Sequence, residues 1–384
     1  MNILLLSPFF YPEPISTGKY NTDFVKELAK KGHKVTVVCS HPIYPNWKVK
    51  KSYSNLNGVE IIRGGKFIKY PKNKMLRRFF LELWYAFFAL QKIIFLRKKI
   101  DIIIPVFPPS LAFLFIFSVL PKHVKKCAIV HDLQSVFIAN TNNFIKKFIS
   151  ICIKSVEKFG FNACDSIVLL SNEMKCIVNE EYGVNLSKLT VQYPFSNLSD
   201  VMTDSLAHIF DSKYKHVVYS GALGDKQNPN KLLSFFSFAT THIKNIKCHF
   251  FSSGSEYDIL RQKNKNSSIL FHPLVPFENV RELYSRSDVQ IIPQKPGTSS
   301  GSLPSKLPNL ITSKCSVLLI TDKDSEIQQL FNKYNFGRVL NSWDNQLLCD
   351  ELQQLLLESN EEKKINSRFV SDLFSIEALI NKIL

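Results

Sequence analysis

The chain has 384 residues, room for two domains of ordinary size, and 45% of them are hydrophobic, enough for two cores and too few for a protein of many membrane spans. Lysine and arginine outnumber aspartate and glutamate 49 to 32, a formal net charge of +17 that favours anionic partners: nucleic acid, anionic lipid or phosphorylated substrates. The eight cysteines include no C-x-x-C pair and no Cys/His cluster of zinc spacing, and several lie in apolar runs such as 126–130, so they read as reduced core thiols of a cytoplasmic protein.

The N-terminus has no basic leader, and its apolar run is too short for a signal peptide, so residues 3–6 are predicted to form a buried strand. A helix follows with Tyr20, Phe24, Leu28 and Ala29 on one face, Gly32 ends it, and 34–39 is the next strand. This is a β-α-β unit, which requires parallel strands and a right-handed crossover. Residues 72–99 have a helical pattern, aromatic and apolar, with Arg77, Arg78, Arg97, Lys98 and Lys99 near its ends. The stretch suits an interfacial helix on an anionic leaflet, or a buried helix with basic ends. The longest uncharged apolar run, 106–121, is interrupted by prolines and falls short of the ~20 residues a span needs, so no transmembrane helix is expected.

Further strands are predicted at 101–106, 128–130 and 166–170. A second set begins at 216–221 and continues at 248–251, 269–271, 289–292 and 316–320, with helices near 229–240, 279–286 and 325–333. The expected fold is α/β: two doubly wound, Rossmann-like domains facing an interdomain cleft. The first is assigned to 1–196 and the second to 215–366. The polar stretch 197–214 is the linker, and a C-terminal helix within 367–384 returns to the first domain.

Ligands of such sheets sit beyond the carboxyl ends of the strands, which singles out four loops. The first, 7–19, ends in Ser16-Thr17-Gly18-Lys19, but Glu13 stands where a Walker A loop needs glycine and Tyr20 where it needs Ser or Thr; no G-x-G-x-x-G is present either. Its amides could face a phosphate or glycan, or it is a connector. The second holds His131 and Asp132 directly after a strand; the carboxylate could stabilise a cationic anomeric centre or cap the next helix. The third, 220–227, has Gly221 and Gly224 for close backbone approach and Lys226 for charge, or is a tight turn. The fourth, 293–309, is rich in hydroxyls and leads into a short helix, where Lys306 and free amides could meet a diphosphate.

In order and spacing these pieces resemble the GT-B glycosyltransferases of family four, most closely the branch that includes colanic-acid and O-antigen transferases. The resemblance rests on Tyr11-Pro12-Glu13-Pro14 with Gly18-Lys19-Tyr20, Gly32-His33-Lys34-Val35, and His41-Pro42-Ile43-Tyr44-Pro45-Asn46-Trp47. In the second half it rests on Tyr219-Ser220-Gly221 with Gly224-Asp225-Lys226-Gln227, Gln294-Lys295, and Leu303-Pro304-Ser305-Lys306-Leu307. It implies an N-terminal domain for the acceptor and a C-terminal domain for a UDP- or GDP-linked sugar. It also implies transfer with retention, without cofactor or metal; the basic surface and the aromatic stretch point to a polyprenyl-diphosphate-linked glycan at the inner face of the cytoplasmic membrane as the expected acceptor. By position, Gly18 matches the first-loop glycine and Asp132, beside His131, an acid at the reaction centre. Gly224, Lys226 and Gln227 lie near the donor, and Ser305 and Lys306 near the diphosphate.

Many relatives carry a Glu-x7-Glu pair in the donor loop; here the positions are Gly301 and Asn309, and Asn309 could still bond a ribose hydroxyl. Ala222 and Gln227 replace a basic pair, and Glu326 matches a later acid. The competing readings are a UDP-GlcNAc epimerase or hydrolase of the same fold, which needs more cleft carboxylates, and a catalytically silent binding subunit. A nucleic-acid binder would explain the charge but lacks a motif, so none is expected as a partner.

Overall fold

The computed structural model describes residues 1–13, 15–44, 46–133, 144–198, 201–299, 303–313, 315–357 and 372–384. Two compact units emerge: Met1–Pro194 together with Ile376–Leu384, and Phe195–Ser375.

The first unit is built on β1 (Asn2–Leu6), β2 (Lys34–Ser40), β3 (Val59–Gly64), β4 (Ile102–Phe107), β5 (Lys125–Val130), β6 (Ser166–Leu169) and β7 (Leu189–Val191), in the order β3-β2-β1-β4-β5-β6-β7. Every pairing is parallel. The inner strands are covered on both faces and therefore read as unbroken apolar runs; all of Ile102–Phe107 is buried. The second unit holds β8 (Lys215–Ser220), β9 (Ile246–Phe251), β10 (Ile269–His272), β11 (Val289–Pro293), β12 (Ser316–Ile320) and β13 (Arg338–Leu340), ordered β10-β9-β8-β11-β12-β13 and again parallel. In each sheet the strand order reverses beside the first strand, between β1 and β4 and between β8 and β11. Loops diverge there and leave a crevice, which is what positions a ligand site in this architecture.

Three strands were not expected from the sequence: β3, β7 and β13 lie at sheet edges and are short or only half-buried, so they lack a continuous apolar run. The stretch read as a linker also differs. Residues 201–214 belong to the second unit. The Glu282 side chain, fully buried, accepts bonds from Thr203 Oγ1 (2.7 Å), Ser205 N (3.0 Å), Leu206 N (2.9 Å) and Arg286 Nε (2.8 Å). Burial alone would raise its pKa; the hydrogen bonds from Thr203, Leu206, Arg286 and Ser205 outweigh it and hold the carboxyl down to about 2. A carboxylate distant in sequence thus orders a segment that has no periodicity of its own.

The terminal helix Ile376–Ile383 belongs to the first unit and buries Leu379, Ile380 and Ile383. Lys125 Nζ donates to the carbonyls of Ile383 (3.2 Å) and Leu384 (3.1 Å), a cation at the negative end of a helix.

The basic aromatic stretch forms one 23-residue helix, Lys74–Leu96. Leu81, Tyr85, Ala89 and Ile93 are buried, and Tyr85 Oη donates to Val38 O of β2 (2.8 Å). By length and composition Leu76–Lys99 could cross a membrane, which the sequence reading did not anticipate. Its inward face instead packs on the sheet, while Leu76, Phe79, Phe80, Leu83, Phe87, Ile94 and Phe95 remain exposed.

Candidate functional site

The second sheet opens a cavity of about 420 Å³ at the carboxyl ends of β8, β9 and β11, at its reversal point. That volume lies in the range of small-molecule sites, roughly 300–1,000 Å³. Lys226, Gln227, Ser305 and Lys306 line it, as do Ser220 and Gly221; Gly224 and Asn309 do not.

The chemistry of the crevice follows from how its carbonyls are satisfied. β8 pairs with β11 only at Val217 and Val218, whereas its pairing with β9 runs on to Ser220. The half-buried Lys306 sits at this break. Its ammonium donates to Ser220 O of β8 (3.2 Å) and Ile291 O of β11 (2.8 Å) and lies 4.6 Å from the Tyr219 ring centroid. Burial pushes its pKa down to about 7. The next two carbonyls are tied as well: Ser252 Oγ donates to Gly221 O (2.7 Å) and Tyr219 Oη to Ala222 O (2.8 Å). The acceptors of three successive residues, 220–222, are therefore engaged by side-chain donors. This removes the partial negative charge that would repel an anion from the cavity. The expectation that Lys306 is an open diphosphate ligand is corrected to this extent: it lines the cavity, but it first closes the gap between two strands.

The loop 220–227 is a folded turn. Gly224 N donates to Gln227 Oε1 (3.0 Å), Asp225–Gln227 is a 3-10 turn, and Asn228, at φ 50°, turns the chain into the helix Pro229–His242. Lys226 is exposed. The loop after β11 is fastened to it and to β12. Lys295 N donates to Lys226 O (2.8 Å), and Lys295 Nζ pairs with Asp225 (2.9 Å). The Asp322 carboxylate accepts from Gly297 N (2.9 Å) and Ser299 N (3.1 Å). These bonds outweigh its desolvation and lower its pKa. Sequence reasoning missed Asp322; its only signal was an acid just after a strand. Ser305 is exposed at the start of the helix Leu307–Thr312, whose N-cap carries no side-chain hydrogen bond.

Asn309 has another occupation than the ribose contact expected for it. Its Oδ1 accepts from Ser196 Oγ (3.0 Å) and Asn197 N (3.0 Å), and its Nδ2 donates to Asn197 Oδ1 (2.9 Å). The amide is thereby filled by the chain entering this unit. Gly301 and Ser300 lie outside the described residues.

The remaining candidates sit at the first sheet. Gly18 is buried in the first turn of the helix Ser16–Lys30, where an added Cβ would stand 3.1 Å from Glu13 O and 3.2 Å from Glu13 Cβ. Glu13, at the place where a Walker loop would have glycine, is buried, and its carboxylate accepts from Ile43 N (3.0 Å) and from Tyr44 N. Burial raises its pKa, opposed by those two amides and by Arg63 and Lys50. Arg63 donates to Tyr11 O (2.5 Å) and Ser40 O (3.3 Å), so the loops after β1 and β2 are stitched into one piece. His131, expected to present an imidazole to a ligand, instead packs its ring edge-on to Tyr20 at 4.7 Å. Its Nε2 is buried with no hydrogen-bond partner among the described residues, and burial pushes its pKa down to about 4. It is therefore a neutral, inward ring; Asp132 beside it is exposed. The alternative of a helix cap involves residues 134–143, outside those described.

Residues 17–200 match the model of Glycosyltransferase Family 4. Over 363 residues, 86% of each chain, the sequence is 25% identical to the putative colanic acid biosynthesis glycosyl transferase WcaI of Escherichia coli (strain K12). The fold resembles that of WaaG, a glycosyltransferase involved in lipopolysaccharide biosynthesis, with a TM-score of 0.71 at 13% identity over 99% of both chains. It also resembles the sucrose-phosphate synthase of Thermosynechococcus elongatus, with a TM-score of 0.72 at 14% identity over 99% of this chain and 96% of that one. An E. coli trehalose-6-phosphate protein bound with UDP-2-fluoro glucose aligns at a TM-score of 0.65 and 8% identity, over 100% of this chain and 96% of its own. Two all-parallel sheets joined to these likenesses support a glycosyltransferase of GT-B fold.

Proposed function

We propose that the chain moves a sugar from a UDP- or GDP-linked donor to a polyprenyl-diphosphate-linked glycan in the synthesis of a bacterial surface polysaccharide, with retention and without a metal, at the inner face of the cytoplasmic membrane. The observation that carries the reading is the cavity of about 420 Å³ at the second reversal point, where carbonyls 220–222 are tied off and Lys226, Ser305 and Lys306 supply donors. A diphosphate placed there meets cations and hydroxyls without facing lone pairs. Transfer with retention then depends on holding the acceptor hydroxyl on the face of the sugar from which the diphosphate leaves, so that the diphosphate takes its proton, and Asp132 is the exposed carboxylate assigned to the anomeric centre. The lipid-linked acceptor is favoured by the exposed apolar face of Lys74–Leu96 and the basic residues at its ends.

Thermal-shift titration with UDP-, GDP- and dTDP-sugars should raise the Tm with at least one of them. Labelled donor should then pass its sugar to a lipid-linked acceptor. No shift and no transfer with any donor removes the reading; saturable binding without turnover would instead identify a silent binding module.

A further inference from the structure

The Lys74–Leu96 helix joins the acceptor-side loops through a ladder of rings. Phe9, after β1, meets Trp47, after β2, edge-on at 6.5 Å; Trp47 meets Tyr70 at 5.5 Å; and Tyr70 meets Phe80 of the helix at 6.3 Å. Trp84 Nε1 donates to Tyr70 Oη (2.8 Å), which fixes the middle rung. The loop carrying Trp47 is the one whose Ile43 and Tyr44 amides Glu13 holds. Trp47 itself has φ 55°, a left-handed backbone that costs a non-glycine residue about 1 kcal/mol.

Arg77 lies across this ladder, its guanidinium carbon 4.1 Å from the Trp47 ring centroid. Among the described residues the guanidinium has no hydrogen bond or ion pair, and Nε is buried without a partner. Stacking fixes the plane of a guanidinium while leaving its in-plane N–H groups available, the arrangement suited to bidentate phosphate recognition. From the same end of the helix, Leu76, Phe80, Leu83, Phe87 and Ile94 recur at helical spacing along an exposed stripe that only Gln91 interrupts. Phe79 and Phe95 flank the stripe, and Phe115 of the packed helix Leu111–Val119 is also exposed. Phe87 is 67% and Phe95 76% exposed, too much ring in one patch for water alone. Arg78, Lys98 and Lys99 are exposed at its ends.

We propose that Arg77, held by Trp47, is the phosphate contact for a lipid carrier of polyprenyl-phosphate chemistry, and that the hydrocarbon chain of that carrier follows the exposed stripe. The site deepens the reading of a lipid-linked acceptor and rests on it. The apolar stripe takes the tail, the stacked guanidinium takes the headgroup, and the terminal cations face the anionic leaflet.

The test uses the full chain and three vesicle types: phosphatidylcholine, the same with phosphatidylglycerol, and the latter with a few per cent of a polyprenyl phosphate. The intact protein should bind the third about tenfold more tightly than the second. Arg77→Gln and Trp47→Ala should lose that gain while keeping the binding to phosphatidylglycerol vesicles, and Phe87→Ser with Phe95→Ser should weaken binding to all three. An unchanged Tm shift with the nucleotide-sugar serves as the folding control for each variant. The proposal is overturned if the polyprenyl lipid adds nothing, if Arg77→Gln retains its gain, or if soluble diphosphate at millimolar concentration abolishes it, which would assign the site to free phosphate. Failure of the parent reading is separate: the intact enzyme would then glycosylate a soluble glycan and ignore the lipid-linked one.

Discussion

The two reversal points have the same topology and opposite chemistry. At the first, the buried side chain is an anion: Glu13 gathers the amides of Ile43 and Tyr44. At the second a half-buried lysine does the reverse: Lys306 gathers the carbonyls of Ser220 and Ile291. A buried carboxylate consumes the Ile43 and Tyr44 N–H groups that a phosphate would want, so a phosphate near the first crevice would have to be held by a cation rather than by these amides. Phe9 and Trp47 meet edge-on beside this crevice. A buried ammonium consumes lone pairs that would repel a phosphate, so the second crevice is suited to one. The same strand order thus gives two crevices of different chemistry, according to whether one side chain accepts from amides or donates to carbonyls.

The strongest way to break this contrast is Lys306→Met. Two carbonyls would lose their donor, at roughly 1–3 kcal/mol each, and donor affinity should fall about a hundredfold, roughly 2.7 kcal/mol. Chemical denaturation and donor titration measure the two effects, and full affinity with lowered stability would reduce Lys306 to a structural strut. Its titration sharpens the point. With a folded pKa near 7, against roughly 10.4 in the unfolded chain, the unfolded state binds more protons between those values. The free protein should accordingly gain stability as pH rises from 7 towards 10, while donor affinity declines over the same window, and Lys306→Met should flatten both profiles.

On the other side, Glu13→Gln should raise the KM for acceptor about tenfold and leave donor affinity unchanged, because a neutral amide holds the Ile43 and Tyr44 amides less firmly, by roughly 1–2 kcal/mol. An equal loss for donor and acceptor would show that the two loops are not functionally separate.

A smaller effect concerns the frame of the second unit. His216 Nε2 donates to Asp211 O (2.9 Å), which leaves Nδ1 to accept from His249 Nε2 (2.9 Å), and His249 Nδ1 then accepts from His272 Nε2 (3.1 Å). Burial, then neighbouring histidines, hold His249 at about 2, and burial holds His272 at about 4. Both are neutral in the fold where the unfolded chain is protonated. Stability should therefore be highest above about pH 6.5 and fall as pH drops towards 4, by up to roughly 1.4 kcal/mol per unit for each of the two histidines. Urea titrations across that range measure the slope, and His249→Leu should make it shallower.

The smallest effect is expected from Asn309→Ala. It should lower stability by about 1 kcal/mol through the lost bonds to Ser196 and Asn197 and leave donor affinity within about twofold. A large loss of donor binding would return Asn309 to the ribose contact that its position first suggested.

Much of this was legible before any coordinates. The alternation of apolar runs with helical periods marks β1, β2, β4, β8, β11 and β12 because buried parallel strands must be apolar throughout. Loops that follow such strands are the places to look for ligands, which is how Lys226, Ser305 and Lys306 were found. His131 was misread because position after a strand fixes the backbone and leaves the ring free to turn inward, here against Tyr20. Glu13, Glu282 and Asp322 went unseen as organisers because their partners lie 20 to 80 residues away.

By itself the sequence determined the sheet architecture and the composition of the loops, since periodicity and turn chemistry act over a few residues. The tertiary structure alone decided which polar groups meet. It assigned Lys306 to carbonyls, Asn309 to the incoming chain and Arg77 to the face of Trp47. The reason is physical: the cost of burying a donor, an acceptor or a charge is settled by whatever lies across the fold, and no local pattern of residues encodes that neighbour.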